Sequence, residues 1–167
     1  SAKDKSVKIL DCIFQNNSGG GISVYSLLNG EILISDSTFK KNKAESDDGG
    51  ALQIRNCVDC ILQFNDSRFE SNKAGKAGGA VMIFQVSGNV TFQGSEFKLN
   101  EARRDSGAVL IWGMSGNVTF LYSEFLSNGA VTDGGAVKIL NSLRNFTFQG
   151  SEFQWNAGGG YGGAVFI

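Results

Sequence analysis

The sequence predicts an all-β fold, a right-handed parallel β-helix that forms a three-sided solenoid of about six coils of about 28 residues each. The first observation is a tandem repeat: residues 88–115 read GNVTFQGSEFKLNEARRDSGAVLIWGMS, and residues 116–143 repeat them as GNVTFLYSEFLSNGAVTDGGAVKILNSL. A third copy begins at Arg144. The second observation is that each copy holds three short runs of alternating apolar and polar residues, which is typical of half-buried strands.

Two motifs mark every coil. The motif F-x-x-N recurs in steps of 25, 30, 28, 28 and 28 residues, beginning at Phe14, Phe39, Phe69, Phe97, Phe125 and Phe153. A glycine-rich motif close to G-G-A-[ILV] follows each Asn, at 19–22, 49–52, 78–81, 106–109, 134–137 and 162–165. Identical residues at a constant spacing stack most simply as parallel coils, each about 4.8 Å above the last.

The three runs of each coil predict three strands. After the glycines, Val81 and Ile83 represent the inward positions of the first run, and Val90 and Phe92 represent those of the second. The third run is S-x-F, with Ser95 pointing inward like the Phe. We expect the glycines to form a corner with positive φ. We expect the Asn of F-x-x-N to turn inward, to accept hydrogen bonds from corner N–H groups and to stack on the Asn of the next coil.

Composition indicates one unit without a strong electrostatic field. The chain has fifteen Lys and Arg and sixteen Asp and Glu, and this near balance of charge argues against nucleic acid as a partner. The longest apolar run has seven residues, so membrane insertion of this segment is not expected.

We expect residues 1–167 to be one fragment of a longer solenoid, because the chain opens and stops within a repeat. Its approximate coils are 3–29, 30–58, 59–87, 88–115, 116–143 and 144–167.

The two motifs resemble a known family. Alternating F-x-x-N and G-G-A-[ILV] repeats are similar to those of the chlamydial polymorphic membrane proteins, and the resemblance runs from Phe14 to Ile167. It departs from the pattern where Ser106 replaces a glycine and where the first coil reads GGGI. The resemblance implies a surface-displayed, autotransporter-like β-helix that acts as an adhesin.

Five N-x-[ST] sequons predict N-linked glycans on one face. Three of them repeat beside the second strand, and the five acceptors are Asn16, Asn65, Asn89, Asn117 and Asn145. Occupied sequons would indicate a secreted, extracellular protein. The alternative is that Asn and Thr are ordinary outward residues of a bacterial protein.

The outward positions of the first strand are unusually apolar. A contiguous apolar patch on a surface tends to mark a contact with a partner, so we predict that this face binds protein, either a second copy or a cell-surface receptor. The predicted contact residues are Met82, Phe84, Leu110, Trp112 and Leu140. Two alternatives are that the aromatic rings stack on sugars and that Phe84 and Trp112 are tucked against a corner or covered by a neighbouring segment.

Three glutamates and two cysteines complete the candidate sites. Glu96, Glu124 and Glu152 form a column on the third strand, and such a column either binds Ca²⁺ or is a solvated acidic stripe eased by Arg68 and Lys98. No other cofactor is expected. Cys57 and Cys60 lie at an irregular corner and are predicted to form a small disulfide.

The sequence therefore predicts a non-catalytic extracellular module, an adhesin or a structural, fibre-forming solenoid at the cell surface. Catalysis is disfavoured because the chain has no His and because its acidic residues recur as repeated copies, whereas an active site is a unique constellation. The alternative is a β-helix that binds or cleaves polysaccharide.

Overall fold

Parallel pairing of successive coils organises the whole molecule. The computed structural model describes residues 5–167, so residues 3–4 of the predicted first coil lie outside the described residues. The chain passes in turn through four sheets, here named A, B, C and D, and each coil pairs in parallel with the coils on either side. No helix within residues 5–167 is long and apolar enough to cross a membrane.

Sheets A and B contain the second and third predicted runs. Sheet A consists of β1 (Lys5–Leu10), β4 (Gly30–Ser35), β8 (Ile61–Asn65), β12 (Val90–Gln93), β16 (Val118–Leu121) and β20 (Phe146–Gln149). Sheet B consists of β2 (Ile13–Gln15), β5 (Thr38–Lys40), β9 (Arg68–Glu70), β13 (Glu96–Lys98), β17 (Glu124–Leu126) and β21 (Glu152–Gln154). The predicted inward residues are confirmed, because Val90, Phe92 and Ser95 are all buried.

Sheet D contains the first predicted run, and sheet C was not predicted. Sheet D consists of β3 (Ile22–Tyr25), β7 (Leu52–Cys57), β11 (Val81–Val86), β15 (Val109–Trp112), β19 (Val137–Leu140) and β23 (Val165–Phe166). Sheet C consists of the two-residue strands β6 (Lys43–Ala44), β10 (Lys73–Ala74), β14 (Glu101–Ala102), β18 (Gly129–Ala130) and β22 (Ala157–Gly158). Two residues are too few to show a period of two, so the sequence pattern could not reveal these strands.

Stacked phenylalanines fill the interior. The rings of the F-x-x-N motif form one column from Phe14 to Phe153, with centroids 4.7–4.9 Å apart between neighbours. A second column rises from Phe64 to Phe148 on sheet A, and its rings meet the first column edge to face, as Phe92 meets Phe97 at 5.7 Å. In the middle of the solenoid, Phe69, Phe92, Phe97, Phe120 and Phe125 therefore each contact aromatic neighbours above, below and beside them.

The Asn of F-x-x-N forms the inward ladder that the sequence predicts; we call it the inner ladder. In the middle coils, Asn100 is fully buried, and its backbone N–H and its Nδ2 both donate to Asn128 Oδ1 at 3.0 Å. The same Nδ2 also donates to the carbonyl of Phe69 at 2.9 Å. Because Asn100 Oδ1 in turn accepts two hydrogen bonds from Asn72, every polar atom of the carboxamide is used.

Positive φ values set the corners, and only some of them fall on glycine. The first glycine of the G-G-A motif has φ of 63–67° in four coils, as predicted, and Ser106 adopts 59° in its place. The second glycine is needed for another reason, since a Cβ on Gly79 would lie 2.0 Å from the carbonyl oxygen of Gly107. The residue before each ladder Asn also has positive φ although it is never glycine, and Leu99 at 56° is an example.

The disulfide predicted between Cys57 and Cys60 is not formed. Both residues are free thiols and fully buried, because each side chain points into the core at the corner between sheets D and A. Desolvation and the neighbouring Cys60 raise the pKa of Cys57 to about 12, so the thiol stays protonated. Cys12 occupies in the first coil the position that Ser37, Ser67 and Ser95 occupy in later coils, and its N–H donates to Ser37 Oγ at 3.1 Å.

We predict that Asn100→Ala lowers the free energy of unfolding by roughly 3 kcal/mol or more, because it leaves several buried polar groups of Asn72 and Phe69 without partners. Asn145→Ala is the matched control, since Asn145 is exposed and its side chain makes no hydrogen bond within residues 5–167. Urea unfolding followed by circular dichroism measures both. Equal losses in the two variants would contradict the structural role of the inner ladder.

Leu99→Gly is expected to raise the free energy of unfolding by roughly 1 kcal/mol, since glycine accepts positive φ without the steric cost that a Cβ carries. Leu99 is 45% exposed and therefore loses little packing. Lys98→Gly, one residue earlier in β13, is the control and is expected to destabilise the protein. Destabilisation by Leu99→Gly in the same urea experiment would show that the corner is not strained.

Candidate functional site

A ridge of stacked loops projects from the solenoid between sheets C and D. The loops are residues 45–48, 75–77, 103–105, 131–133 and 159–161, and we call their stack the fin. Their backbones pair from coil to coil, as where Arg104 N–H donates to the Lys76 carbonyl at 2.8 Å and Thr132 N–H donates to the Arg104 carbonyl at 2.9 Å. Each loop of the fin begins after a strand of sheet C and ends at the glycine corner, and the fin separates two outer surfaces.

On one side, the fin covers the outward face of sheet D. Met82 and Leu110 point outward as predicted, but each is only 3% exposed because both pack against Ala77 of the fin. The prediction that Met82 and Leu110 contact a partner is therefore wrong: these side chains are covered by the protein's own chain. The next outward position along each strand lies beyond the edge of the fin.

That next position forms an exposed row along the solenoid axis, which we call the outer strip. Parallel pairing places its five residues in register, one on each successive coil: Tyr25, Arg55, Phe84, Trp112 and Leu140. Tyr25 is 54% exposed and Trp112 is 40% exposed, while Phe84 and Leu140 are half-buried. Three of the five predicted contact residues therefore remain accessible.

The side chains of the outer strip hold one another in place. The Arg55 guanidinium lies 5.4 Å from the Phe84 ring centroid, and the Phe84 ring meets the Trp112 ring edge to face at 6.0 Å. Arg55 Nη2 is also 2.7 Å from Asp48 Oδ2 of the fin. The centre of the strip is consequently an ordered surface of cation and aromatic rings.

A buried ion pair fastens the fin to sheet D near its other end. Lys138 Nζ lies 2.7 Å from Asp105 Oδ1 and 2.9 Å from Asp133 Oδ2, and the Lys138 side chain is 8% exposed. Burial acts to raise the pKa of Asp105, but hydrogen bonds from Lys138 and Thr132 outweigh it and lower the pKa. The pKa of Asp133 is lowered by the Tyr161 N–H and by Lys138. Burial acts to lower the pKa of Lys138, and the two carboxylates raise it above its usual value.

On the other side of the fin, an open groove of about 620 Å³ runs along sheet C. Its floor is made of alanines such as Ala74 and Ala102, and its charged rims include Lys73, Glu101 and Arg103. Lys73 Nζ and Glu101 Oε2 are 2.7 Å apart, so the charges on this rim largely satisfy one another. At the far end the groove is lined by small residues of the later coils.

The predicted glycan acceptors fall in three places. Asn89, Asn117 and Asn145 are exposed at the corner before β12, β16 and β20. Asn65 is half-buried at the end of β8, and the hydroxyl of its sequon partner Ser67 is turned into the core. Asn16 is exposed at the corner before the inner ladder, where φ is 59°.

The predicted glutamate column is present but does not converge on a metal site. Glu96, Glu124 and Glu152 stack in register, with Arg68 Nε 3.5 Å from Glu96 Oε2. Glu152 Oε2 accepts a hydrogen bond from Gln154 at 3.1 Å. Among residues 5–167 no three Cys, Asp or Glu side chains lie close enough together to hold a metal ion.

The fin and the Lys138 cluster were not predicted, although the sequence carries a signal for both. Asp48, Asp105 and Asp133 each precede a glycine corner, and a single Lys interrupts the apolar outward column of the first run. An Asp that caps the corner also forms an ion pair with the next basic residue on sheet D. Asp48 Oδ1 accepts the Ala77 N–H at 3.0 Å while Oδ2 accepts from Arg55. Asp133 makes the same two kinds of contact, with the Tyr161 N–H and with Lys138.

The fold is shared with a known protein family. A family model described as a right-handed β-helix region matches residues 3–165, which is nearly the whole chain. No curated protein and no solved structure matches the chain.

The Lys138 cluster predicts a specific dependence of stability on pH. Because the pKa values of Asp105 and Asp133 are lowered on folding, their contribution is fully present above about pH 3.9 and is lost as the pH falls through the folded values. We expect Lys138→Met to lower the melting temperature near neutral pH. On acidification to about pH 2, we expect the melting temperature of this variant to fall by less than that of the parent protein.

Thermal unfolding at the two pH values measures this effect. Lys41→Met is the control, because Lys41 is exposed and makes no ion pair within the part of the chain that the structure describes. An acid-induced loss in Lys138→Met equal to that of the parent would contradict the proposed linkage.

Proposed function

Because this chain belongs to the right-handed β-helix family, we propose that it serves as a non-catalytic binding module of an extracellular surface protein. In this proposal the outer strip contacts a partner protein, either a cell-surface receptor or a second copy in a fibre. N-glycans occupy another face, and no cofactor is required. The motifs F-x-x-N and G-G-A support kinship with the chlamydial polymorphic membrane proteins and hence an adhesive role.

The outer strip is the observation that carries the proposal. Residues with large, rigid, amphipathic side chains dominate the binding energy of protein interfaces, and Trp, Tyr and Arg are the most enriched among them. The strip combines Tyr25, Arg55 and Trp112 in one row across four coils. Solvent-exposed rings in a continuous row lose unfavourable contact with water when a partner covers them.

The strip is also held in shape before any partner arrives. Met82 and Leu110 are buried directly beside it, and they fix the strands that carry Phe84 and Trp112. The contacts of Phe84 with Arg55 and with Trp112 restrict its rotamers. A surface that is already ordered loses little conformational entropy on binding, which favours affinity.

The acidic residues support a binding role over catalysis. A general acid at neutral pH needs a carboxyl whose pKa is raised, and the shifted carboxyls among the described residues all have lowered pKa values. The hydrogen bond and the charge of Lys43 lower the pKa of Glu45 in the groove. The carboxyl of Glu45 therefore favours its ionised form.

A second candidate is a polysaccharide-binding or polysaccharide-cleaving β-helix, and the groove along sheet C favours it. Its volume of about 620 Å³ lies within the range of ligand sites, and Glu45 and Glu101 both line it. The two candidates use opposite sides of the fin. Substitutions in the outer strip and in the groove therefore separate them.

We predict that Trp112→Ser weakens binding to cells, or self-association, roughly tenfold or more, because it removes the largest exposed anchor of the strip. Phe84→Ser is expected to act in the same direction. Binding of labelled protein to cells and sedimentation velocity measure the two kinds of contact. Leu143→Ser is the control, since Leu143 is 83% exposed and lies on a different corner.

Unchanged binding by both strip variants, with the fold intact by circular dichroism, would rule out the outer strip as the contact. Release of reducing sugar from a polysaccharide panel, abolished by Glu45→Gln or Glu101→Gln, would establish the second candidate instead.

A further inference from the structure

We propose that Asn89, Asn117 and Asn145 form an outer asparagine ladder in which Oδ1 of Asn89 and of Asn117 joins neighbouring coils while Nδ2 of all three is the acceptor for an N-linked glycan. This inference rests on the extracellular location in the proposed function and assigns two separate roles to the two atoms of one carboxamide. The ligand class is an oligosaccharide attached through its anomeric carbon.

The oxygen atoms of the outer ladder are engaged between coils. Asn89 Oδ1 accepts the backbone N–H of Asn117 at 3.0 Å, and Asn117 Oδ1 accepts the backbone N–H of Asn145 at a longer 3.4 Å. These bonds hold the side chains of Asn89 and Asn117 along the solenoid axis. They satisfy the N–H groups at the two corners that precede β16 and β20.

The nitrogen atoms of the outer ladder are free, unlike those of the inner ladder. Asn100 Nδ2 donates twice inside the core, to Phe69 and to Asn128. In residues 5–167, Nδ2 of Asn89 and of Asn117 donates no hydrogen bond, and both residues are exposed. The same residue type thus uses its amide nitrogen in one ladder and leaves it available in the other.

This division of roles is compatible with glycosyl transfer. The N–C bond forms between Nδ2 and the anomeric carbon of an activated sugar diphosphate, the bond from that carbon to the diphosphate breaks, and the departing diphosphate takes up the proton that Nδ2 loses. Oδ1 takes no part and retains its acceptor lone pairs. A glycan on the outer ladder therefore leaves the bonds between coils intact.

The surroundings of the ladder provide room and the required hydroxyls. Thr91, Thr119 and Thr147 complete the three sequons and stack in register on sheet A. A polar recess of about 430 Å³ lies beside the three asparagines, and Arg144 and the exposed Leu143 line it. Polar groups and an apolar side chain together suit the two faces of a sugar ring.

The test is secretion of the chain from a eukaryotic host, followed by intact mass and peptide mapping before and after an amidase that converts each glycosylated Asn to Asp. We expect sugar at Asn89, Asn117 and Asn145, and the same urea midpoint for the glycosylated protein and for unglycosylated protein produced in a bacterial host. Thr91→Ala is expected to remove one glycan without changing that midpoint. Asn89→Ala is expected to remove the same glycan and to lower the midpoint, because it also deletes Oδ1.

Several results would overturn the inference: secreted protein without sugar at the outer ladder, destabilisation by the attached glycans, or equal midpoints for Thr91→Ala and Asn89→Ala. The proposed function is tested separately from the outer ladder. A triple variant with Ala at Thr91, Thr119 and Thr147 still binds through the outer strip if that function holds, whatever the state of the ladder.

Discussion

The inner asparagine ladder is the interaction on which the rest of the structure depends. At each corner after the phenylalanine the backbone turns through a residue of positive φ, which leaves polar backbone groups facing the core. The carboxamide of Asn72, Asn100 or Asn128 satisfies these groups and meets the carboxamide of the next coil at 2.9–3.0 Å. Buried amide groups without such partners are costly, so the ladder fixes both the corner and the spacing at which the phenylalanine rings stack.

The narrow glycine corner then determines where a functional surface arises. At Gly79 the chain passes so close to the Gly107 carbonyl that no side chain fits, and the residues between sheets C and D are forced outward as the fin. The fin buries Met82 and Leu110, which would otherwise make sheet D a broad apolar face. What remains is the outer strip on one side of the fin and the groove on the other. The fin thus separates the outer strip on sheet D from the groove along sheet C.

The sequence predicted the coil well because its repeats report directly on stacking. The inward positions, the asparagine ladder and the positive φ of the first glycine all follow from residues that recur at one spacing. Burial of Met82 and Leu110 was missed because alternation tells which side of a strand a residue faces and not what lies above it. The bridge between Cys57 and Cys60 was expected from spacing, whereas both side chains enter the core. The Lys138 cluster was not predicted, because the two carboxylate partners of Lys138 come from separate coils and are visible only once the fin is in place.

The most direct test of this account is the hydrogen exchange of asparagine side-chain amides, followed residue by residue by NMR. The account predicts strong protection of the Nδ2 protons of Asn72, Asn100 and Asn128 and fast exchange of those of Asn89 and Asn117 in the unglycosylated protein. That pattern would show that the inner ladder is buried and hydrogen-bonded while the outer ladder leaves its nitrogen free. Fast exchange at Asn100, or equal protection in the two ladders, would contradict the claim that the inner ladder holds the coils together.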